Sequence, residues 1–417
     1  MSTDDRGRMP GGRYPLALAF SFLAMASALA GCGSAQVQPS RLPVELRGVW
    51  LTNVDSRVLD SRANIAEAMQ FLADNNFNVV YPVVWNKALT LYPSEVMRKY
   101  FGAELEQLPG YRGRDPLAEV IEEAHKRGIA VIPWFEYGFA ASYNQEGGHI
   151  IRAKPGWAAR DSGGKLLKKN GFEWLNAFDP EVQEFMLALV TEVAQKYEAD
   201  GVQGDDRLPA QPIEGGYDPV TSALYKEQEG AAPPSDFRDA RWKRWRAARL
   251  SAFGRELYRR VKAAKPGLMV SWAPSVYPWS LEEYLQDWRS WADPAQDGGA
   301  YADLVHPQIY RYGMAQYGDT LDTQLPGAMG VGARAPYLYP GILLSFGKYL
   351  MDEDYLKEAV RYNRRRGCNG EVFFFYEGLR KENDRRAKVL KENFYRTPAQ
   401  LPFIPLFRRT YEPAPLR

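Results

Sequence analysis

The sequence predicts a (β/α)8 barrel, and three observations carry that expectation. Eight short apolar segments alternate with eight stretches of helical periodicity across residues 45–396. Several of these segments end in a carboxylate, an amide or an aromatic residue, and barrels of this kind gather their functional side chains at strand C-terminal ends. An open doubly wound sheet would use the same alternation. However, the glycine patterns such sheets use for nucleotides, G-x-G-x-x-G and G-x-x-x-x-G-K-[ST], do not occur in the sequence.

Taken in order, residues 46–52 form strand 1 and 61–75 a helix. Residues 77–85, Phe-Asn-Val-Val-Tyr-Pro-Val-Val-Trp, are a continuous apolar run, as befits a parallel strand covered on both faces. Pro82 cannot donate to a ladder, so a bulge is expected there. Residues 115–127 form a helix, with Asp115 as N-cap, Pro116 at the first position and Gly128 at the end. Strand 3 is 129–135, and Asp179-Pro180 opens a helix to about residue 198. Strand 4, 201–205, precedes a long helix near 236–265. Strand 5 (268–273), a helix (281–291), strand 6 (304–310) and a weaker helical pattern (317–329) follow. Strand 7 (335–342), a helix (352–366), strand 8 (371–376) and a last helix (383–394) complete the series. Long insertions follow strands 2, 3 and 4, at about 86–114, 137–178 and 207–235, all on the side where a barrel builds its pocket. Residues 397–417 form a Pro-rich tail.

Composition narrows the function class. The chain has 417 residues, 45% hydrophobic and 25% charged, with a formal net charge of +2. No dense basic run with interleaved aromatics marks a nucleic-acid partner. The short run Arg364-Arg365-Arg366 falls at a helix end, where cations suit the dipole.

The N-terminus has the form of a targeting segment. Arg6, Arg8 and Arg13 precede an apolar run, 16–30, that is too short to span a bilayer. The run ends in Leu29-Ala30-Gly31-Cys32, which resembles a bacterial lipobox. Residues 1–31 would then be a signal peptide, Cys32 the lipidated mature N-terminus, and 32–44 a tether. Gly33, rather than Asp, matches the enterobacterial rule for outer-membrane sorting. The expected address is the cell envelope, facing the periplasm. The only other cysteine is Cys368, so with Cys32 lipidated no internal disulfide forms.

Period-two alternation selects the inward-facing residues at each strand end. It pairs Trp134 with Glu136, Gln203 with Asp205, His306 with Gln308 and Tyr310, and Phe373 with Phe375 and Glu377. Asn53 and Trp50 at strand 1, Trp85 at strand 2, Trp272 at strand 5 and Tyr376 at strand 8 add to the rim. Aromatic faces with carboxylates and amides suit a sugar. Aromatic rings pack on pyranose faces, and the polar groups bond the hydroxyls. Glycosidic hydrolysis needs two carboxyls in different environments. Asp205 is the primary candidate, with Glu377 or Glu136 as its partner. Asp206, adjacent on the strand, is expected to point away and to orient a partner or an arginine such as Arg207. The three histidines, His125, His149 and His306, lack zinc-site spacing, and Asp205-Asp206 lies in no calcium-loop pattern. No metal or other cofactor is expected, and no G-x-S-x-G elbow is present.

Several blocks in order resemble the glycosyl-hydrolase-like 10, or YngK-like, family. They are Arg47-Gly48-Val49-Trp50-Leu51-Thr52, Gly113-Arg114-Asp115-Pro116-Leu117, Trp174-Leu175-Asn176 before Asp179-Pro180, Asp200-Gly201-Val202-Gln203-Gly204-Asp205-Asp206, Pro307-Gln308-Ile309-Tyr310 and Phe373-Phe374-Phe375-Tyr376-Glu377. The resemblance implies a (β/α)8 barrel that hydrolyses glycans, with bacterial cell-wall polysaccharide as a substrate class. Asp200, Gln203, Asp205 and Asp206 match the family's strand-4 block. Gly204 stands where a larger apolar residue is usual, and many members carry Asn at the position of Glu136. The chain is fainter in its likeness to chitinase-type barrels, because Arg207 occupies the place of their acid. The expectation is therefore a lipid-anchored glycoside hydrolase acting on peptidoglycan glycan strands. The alternative is a catalytically silent glycan-binding lipoprotein of the cell envelope. No protein partner is expected.

Overall fold

The structure, a computed structural model, describes residues 42–293, 299, 301–325, 327 and 337–403. The expected signal peptide, the lipidation site Cys32, most of the tether and the tail beyond 403 lie outside the described residues.

β1 (Leu46–Leu51) is buried along its whole length, because parallel strands flank it on both sides. Ser61 caps α1 (Arg62–Asp74) by accepting a hydrogen bond from the backbone N–H of Asn64, an interaction worth about 1 kcal/mol. β2 (Val79–Pro82) ends at its proline instead of bulging around it. The Pro82 carbonyl, which the ring leaves free to accept, takes the N–H of Trp134. Asp115 caps α2 (Pro116–His125), and Pro116 opens it, as the sequence predicts. β3 (Ala130–Val131) is followed by α3 (Pro180–Lys196), which Asp179 caps. β4 (Gly201–Gly204) precedes α4 (Ala240–Ala264).

β5 (Met269–Trp272) leads into two short helices, α5 (Trp279–Tyr284) and α6 (Trp288–Ala292). A single helix is expected there, but Leu285 adopts a left-handed conformation and breaks it. β6 (Leu304–Val305), α7 (Met314–Gln324), β7 (Tyr337–Leu338), β8 (Gly341–Leu343), α8 (Glu353–Arg365), β9 (Gly370–Phe374) and α9 (Tyr376–Asn393) complete the order. β7 and β8 are two pieces of the expected seventh strand, interrupted at Tyr339-Pro340.

The strands form two parallel sheets, ordered β8-β9-β1-β2-β3 and β7-β6-β5-β4. Single parallel bridges link the two sheets: Trp134 with Gln203 on one side, and Gln308 with Gly341 on the other. Register sets the inward face. Gly48 lies beside both Val79 and Val372, and Trp50 lies beside Tyr81. Gly48 lets the neighbours close in, since a Cβ there would stand a tight 3.0 Å from both Tyr81 and Val372.

The three insertions are built rather than loose. The first begins with the hairpin Trp85–Asn86/Leu89–Thr90 and continues into the helix Glu95–Phe101. The second holds a three-stranded antiparallel sheet, Ala140–Tyr143, Phe172–Trp174 and Lys168–Lys169. The third carries the helix Pro219–Glu229, capped by Asp218. A further hairpin, Ser345–Phe346/Tyr349–Leu350, follows β8 and is not foreseen in the sequence. Among the described residues, no helix is long and apolar enough to cross a membrane.

Candidate functional site

A cleft of about 780 Å³ opens at the C-terminal ends of the strands. Trp50, Trp134 and Phe374 form its floor, with Tyr310 beside Phe374 at 5.4 Å between ring centroids.

Asp205 enters the cleft because β4 stops one residue earlier. Trp272 lies against Gly204 so closely that any Cβ would collide with its indole ring. The indole from β5 and the Leu208 carbonyl together leave no room for a side chain at this position. After Gly204 the chain turns, and strand alternation no longer applies. Asp205 and Asp206 therefore both line the cleft. The expectation that Asp206 points away is corrected on this ground.

Arg207 organises the carboxyls. Its Nη2 stands 3.1 Å from Asp205 Oδ2 and 3.7 Å from Glu136 Oε1, and its Nη1 lies 3.2 Å from Asp206 Oδ1. Its Nε donates to the Glu136 carbonyl at 3.0 Å, and its guanidinium lies over the Phe172 ring at 4.8 Å. Gln308 Nε2 donates to Asp205 Oδ1 at 2.7 Å, and Asn86 Nδ2 donates to Glu136 Oε2 at 2.6 Å. Because Asp205 and Glu136 contact the same nitrogen, their facing oxygens are no more than about 7 Å apart, close enough for the two carboxyls to act on one bond.

Three carboxyls share one guanidinium, with Asp205 buried and the other groups largely so. Burial raises the Asp205 pKa well above the usual carboxylate value, and the Asp206 charge adds to the effect against the opposing pull of Arg207. Burial also raises Glu136, again against Arg207 and the Asn86 hydrogen bond. Such a cluster favours keeping a proton on one member, which is what a general acid needs. Burial opposes the charge on Arg207, but the three acids outweigh it and hold the guanidinium firmly charged. Two buried polar atoms in the cleft have no hydrogen-bond partner among the described residues: Trp134 Nε1 and Asp206 Oδ1, the latter ion-paired without hydrogen-bond alignment.

The remaining predicted residues divide clearly. Trp50, Trp134, Glu136, Asp205, Asp206, Gln308 and Tyr310 line the cleft together. Gln203 lies beneath it, fully buried, accepting from Trp50 Nε1 at 2.7 Å and donating to Ser271 Oγ at 2.8 Å. Trp85 is core, bonded to the Gly138 carbonyl, and Trp272 is core, bonded to the Tyr301 carbonyl. Asn53 does not line the cleft, and its buried Oδ1 has no partner among the described residues. Glu377 and Tyr376 also stand away from it. β9 ends at Phe374 and α9 begins at Tyr376, so Glu377 lies in a first helical turn and accepts from Ser56 Oγ at 2.7 Å. Tyr376 packs edge-on against Phe71 and accepts from Arg380. The inward residue of β9 is Phe374, one position out of step with the expected Phe373 and Phe375.

His306 is interior: its Nε2 meets Tyr81 OH at 2.9 Å, and burial lowers its pKa to about 3, so the ring is neutral. Sequence reasoning missed Lys87, Tyr143 and Phe172 on the insertions, Tyr312 after the sixth strand, and Phe346 on the unforeseen hairpin, all of which line the cleft. Their one legible signal is position, on segments that follow strands at the pocket side. Among the described residues, no group of three or more His, Cys, Asp or Glu is placed to hold a metal ion.

Comparison with known proteins follows the same direction. A family model described as glycosyl hydrolase-like 10 matches residues 45–327. Glycosyl hydrolase YngK of Bacillus subtilis is 26% identical over 88% of this chain and 75% of its own length. Glycosyl hydrolase DigH of Escherichia coli K12 is 25% identical over 66% of this chain and 67% of its own. The fold resembles the glycoside hydrolase domain of PgaB (BpsB) from Bordetella bronchiseptica, with a TM-score of 0.59 and 14% identity over 83% of this chain and 99% of that one. The catalytic domain of a Paenibacillus polymyxa β-amylase superposes with a TM-score of 0.57 at 10% identity over 85% of this chain and 99% of that one. The mixed α/β fold is thus shared with glycoside hydrolases of TIM-barrel type.

Proposed function

Because the chain belongs to the glycosyl hydrolase-like 10 family, we propose that it hydrolyses glycosidic bonds in a bacterial polysaccharide, with Asp205 and Glu136 as the catalytic carboxyl pair. The observation that carries this is the shared Arg207 nitrogen, which ties the two acids together across an aromatic-floored cleft. Both oxygens of Asp205 accept side-chain N–H donors, from Gln308 and Arg207, so a proton on either would meet a donor hydrogen. Burial raises Asp205 more strongly than Glu136, but these two hydrogen bonds favour its ionised form, whereas Glu136 Oε1 faces Arg207 at 3.7 Å without a hydrogen bond and can carry a proton, so Asp205 takes the charged role of nucleophile or base. Glu136, raised by burial, takes the proton and delivers it to the leaving oxygen.

The two sheets and their linking bridges support reading the fold as one (β/α)8 barrel with its pocket built by the insertions. The lipobox at Cys32 supports a lipid-anchored protein of the cell envelope, facing the periplasm from the outer membrane. Peptidoglycan glycan strands are the polymer such an address makes most available. Radiolabelled palmitate incorporation, lost in Cys32→Ala, checks the anchor.

The deciding experiment incubates the protein with purified peptidoglycan glycan strands, with and without stem peptides, and reads products by mass spectrometry. New oligosaccharides that fall by about 10²-fold or more in Asp205→Asn are expected. Full activity in Asp205→Asn would remove the catalytic assignment. Retention of strands on immobilised protein without cleavage would favour the glycan-binding alternative.

A further inference from the structure

The aromatic side chains of the cleft fall into two groups. Those of the floor are buried (Trp50, Trp134) or partly buried (Phe374, Tyr310). Three at the rim are not: Tyr143 is 49% exposed, Tyr312 64% and Phe346 65%. Burying an aromatic ring of this size is worth about 1.5–3 kcal/mol, so leaving three in water beside one cleft needs a reason.

They rise from opposite sides. Tyr143 ends a strand of the antiparallel sheet in the insertion after β3, with its ring edge-on to Phe172 at 5.1 Å. Phe346 sits in the hairpin that follows β8. Tyr312 follows the sixth strand segment, with its ring edge-on to Tyr349 of that hairpin at 4.8 Å. β3 and β8 are the two edges of the five-stranded sheet, with three strands between them. At an inter-strand spacing of about 4.8 Å, the loops leave points no more than roughly 19 Å apart along the sheet. All three rings line the one cleft of about 780 Å³, so a chain of linked sugars lying in it can meet both groups.

We infer that Tyr143 with Phe172 on one side, and Tyr312 with Tyr349 and the exposed Phe346 of the same hairpin on the other, are two stacking platforms that hold one glycan chain at both ends of the cleft, so that cleavage falls within the chain. The inference rests on reading the cleft as a glycosidase site. A flat exposed ring holds the apolar face of a pyranose through burial of C–H groups, and the neighbouring edge-on ring fixes its orientation. An enzyme that trims chain ends needs a platform on one side only. Here the walls on both sides present an aromatic face to solvent, and the carboxyl cluster lies in the cleft they share.

The test uses the full-length protein in detergent and size-fractionated, end-labelled peptidoglycan glycan strands. In the Asp205→Asn background, affinity is expected to rise with strand length until a strand spans both platforms. Tyr143→Ala and Phe346→Ala should each weaken binding of long strands about three- to tenfold, leave the shortest nearly unchanged, and keep the thermal midpoint. Phe346→Tyr should restore binding. Active protein should release intermediate lengths from the earliest time points. Unchanged affinity in both alanine variants overturns the platforms, and release of only one- or two-sugar products from one end overturns internal cleavage, in each case with the glycosidase reading intact. Strands bound but uncut remove the hydrolase reading alone, and the affinity series still decides the platforms. Strands neither cut nor bound remove both.

Discussion

At the scale of single residues, the chemistry turns on Glu136 and Asp205, whose pKa values burial raises. The activity–pH profile should be a bell with both limbs above the ordinary carboxylate range. The limbs belong to the coupled cluster rather than to either residue. Activity falls on the alkaline side as the acid loses its proton, and Glu136→Gln should cut turnover by about 10²-fold or more and flatten the alkaline limb of the activity that remains. The same shift has a sign for stability. A folded-state pKa above the unfolded value means the native state holds the proton more tightly. Stability is therefore greatest below the ordinary carboxyl pKa and is lost as pH rises through the raised value. Glu136→Gln, neutral at every pH, should raise the thermal midpoint near pH 7 and show no gain near pH 4. A lower midpoint at pH 7 would mean that the Arg207 contact outweighs burial. Glu136 and Asp205 were legible as candidates because each ends a buried strand. Arg207's hold on both was not, because the guanidinium reaches back 71 residues to Glu136 through folded contacts.

At the scale of elements, β4 and β5 fit as a matched pair. Gly204 is beside Trp272 in register, and the indole fills the space a side chain at 204 would need. Gly204→Leu should destabilise the protein by about 1–3 kcal/mol by overpacking. Combining it with Trp272→Ala should recover part of that loss, as a double-mutant cycle in denaturant would measure. Additive losses would show that the two side chains do not compete. Helix starts were well marked in the sequence, since Asp115-Pro116 and Asp179-Pro180 supply both cap and first-turn proline. The inward face of β9 was not. Its segment, Glu-Val-Phe-Phe-Phe-Tyr, is apolar on both faces, so period two leaves no trace, and the register with Gly48 alone decides that Val372 and Phe374 face in.

At the scale of the whole molecule, Cys368 reports on global opening. It is buried beneath α8, and burial lifts its thiol to about 12. In a Cys32→Ser protein, a thiol reagent should label Cys368 only at the rate of global unfolding, rising with denaturant in step with loss of circular dichroism. Fast labelling of native protein would mean that this end of the fold opens locally. Cys368 lies near a second buried acid, Glu371, which accepts from Tyr395 at 2.5 Å and faces Arg364 at 3.6 Å. Through Arg364 and Glu45, that network joins β9, α8 and the residues leading into β1.

Local pattern in the sequence was enough to determine the order of strands and helices, the caps, and the presence of carboxyls, amides and aromatics at strand ends. Burial periodicity and capping chemistry act over a few residues, so they are written in the chain itself. Tertiary structure alone decided which candidates meet. It sank Gln203, Trp85 and Trp272 into the core and turned Glu377 onto a helix. It brought Asp206 in beside Asp205, and it carried Tyr143, Tyr312 and Phe346 to the rim from segments with no strand pattern of their own. These outcomes depend on register and on contacts such as Gln308 to Asp205, 103 residues apart, which no short window of sequence contains.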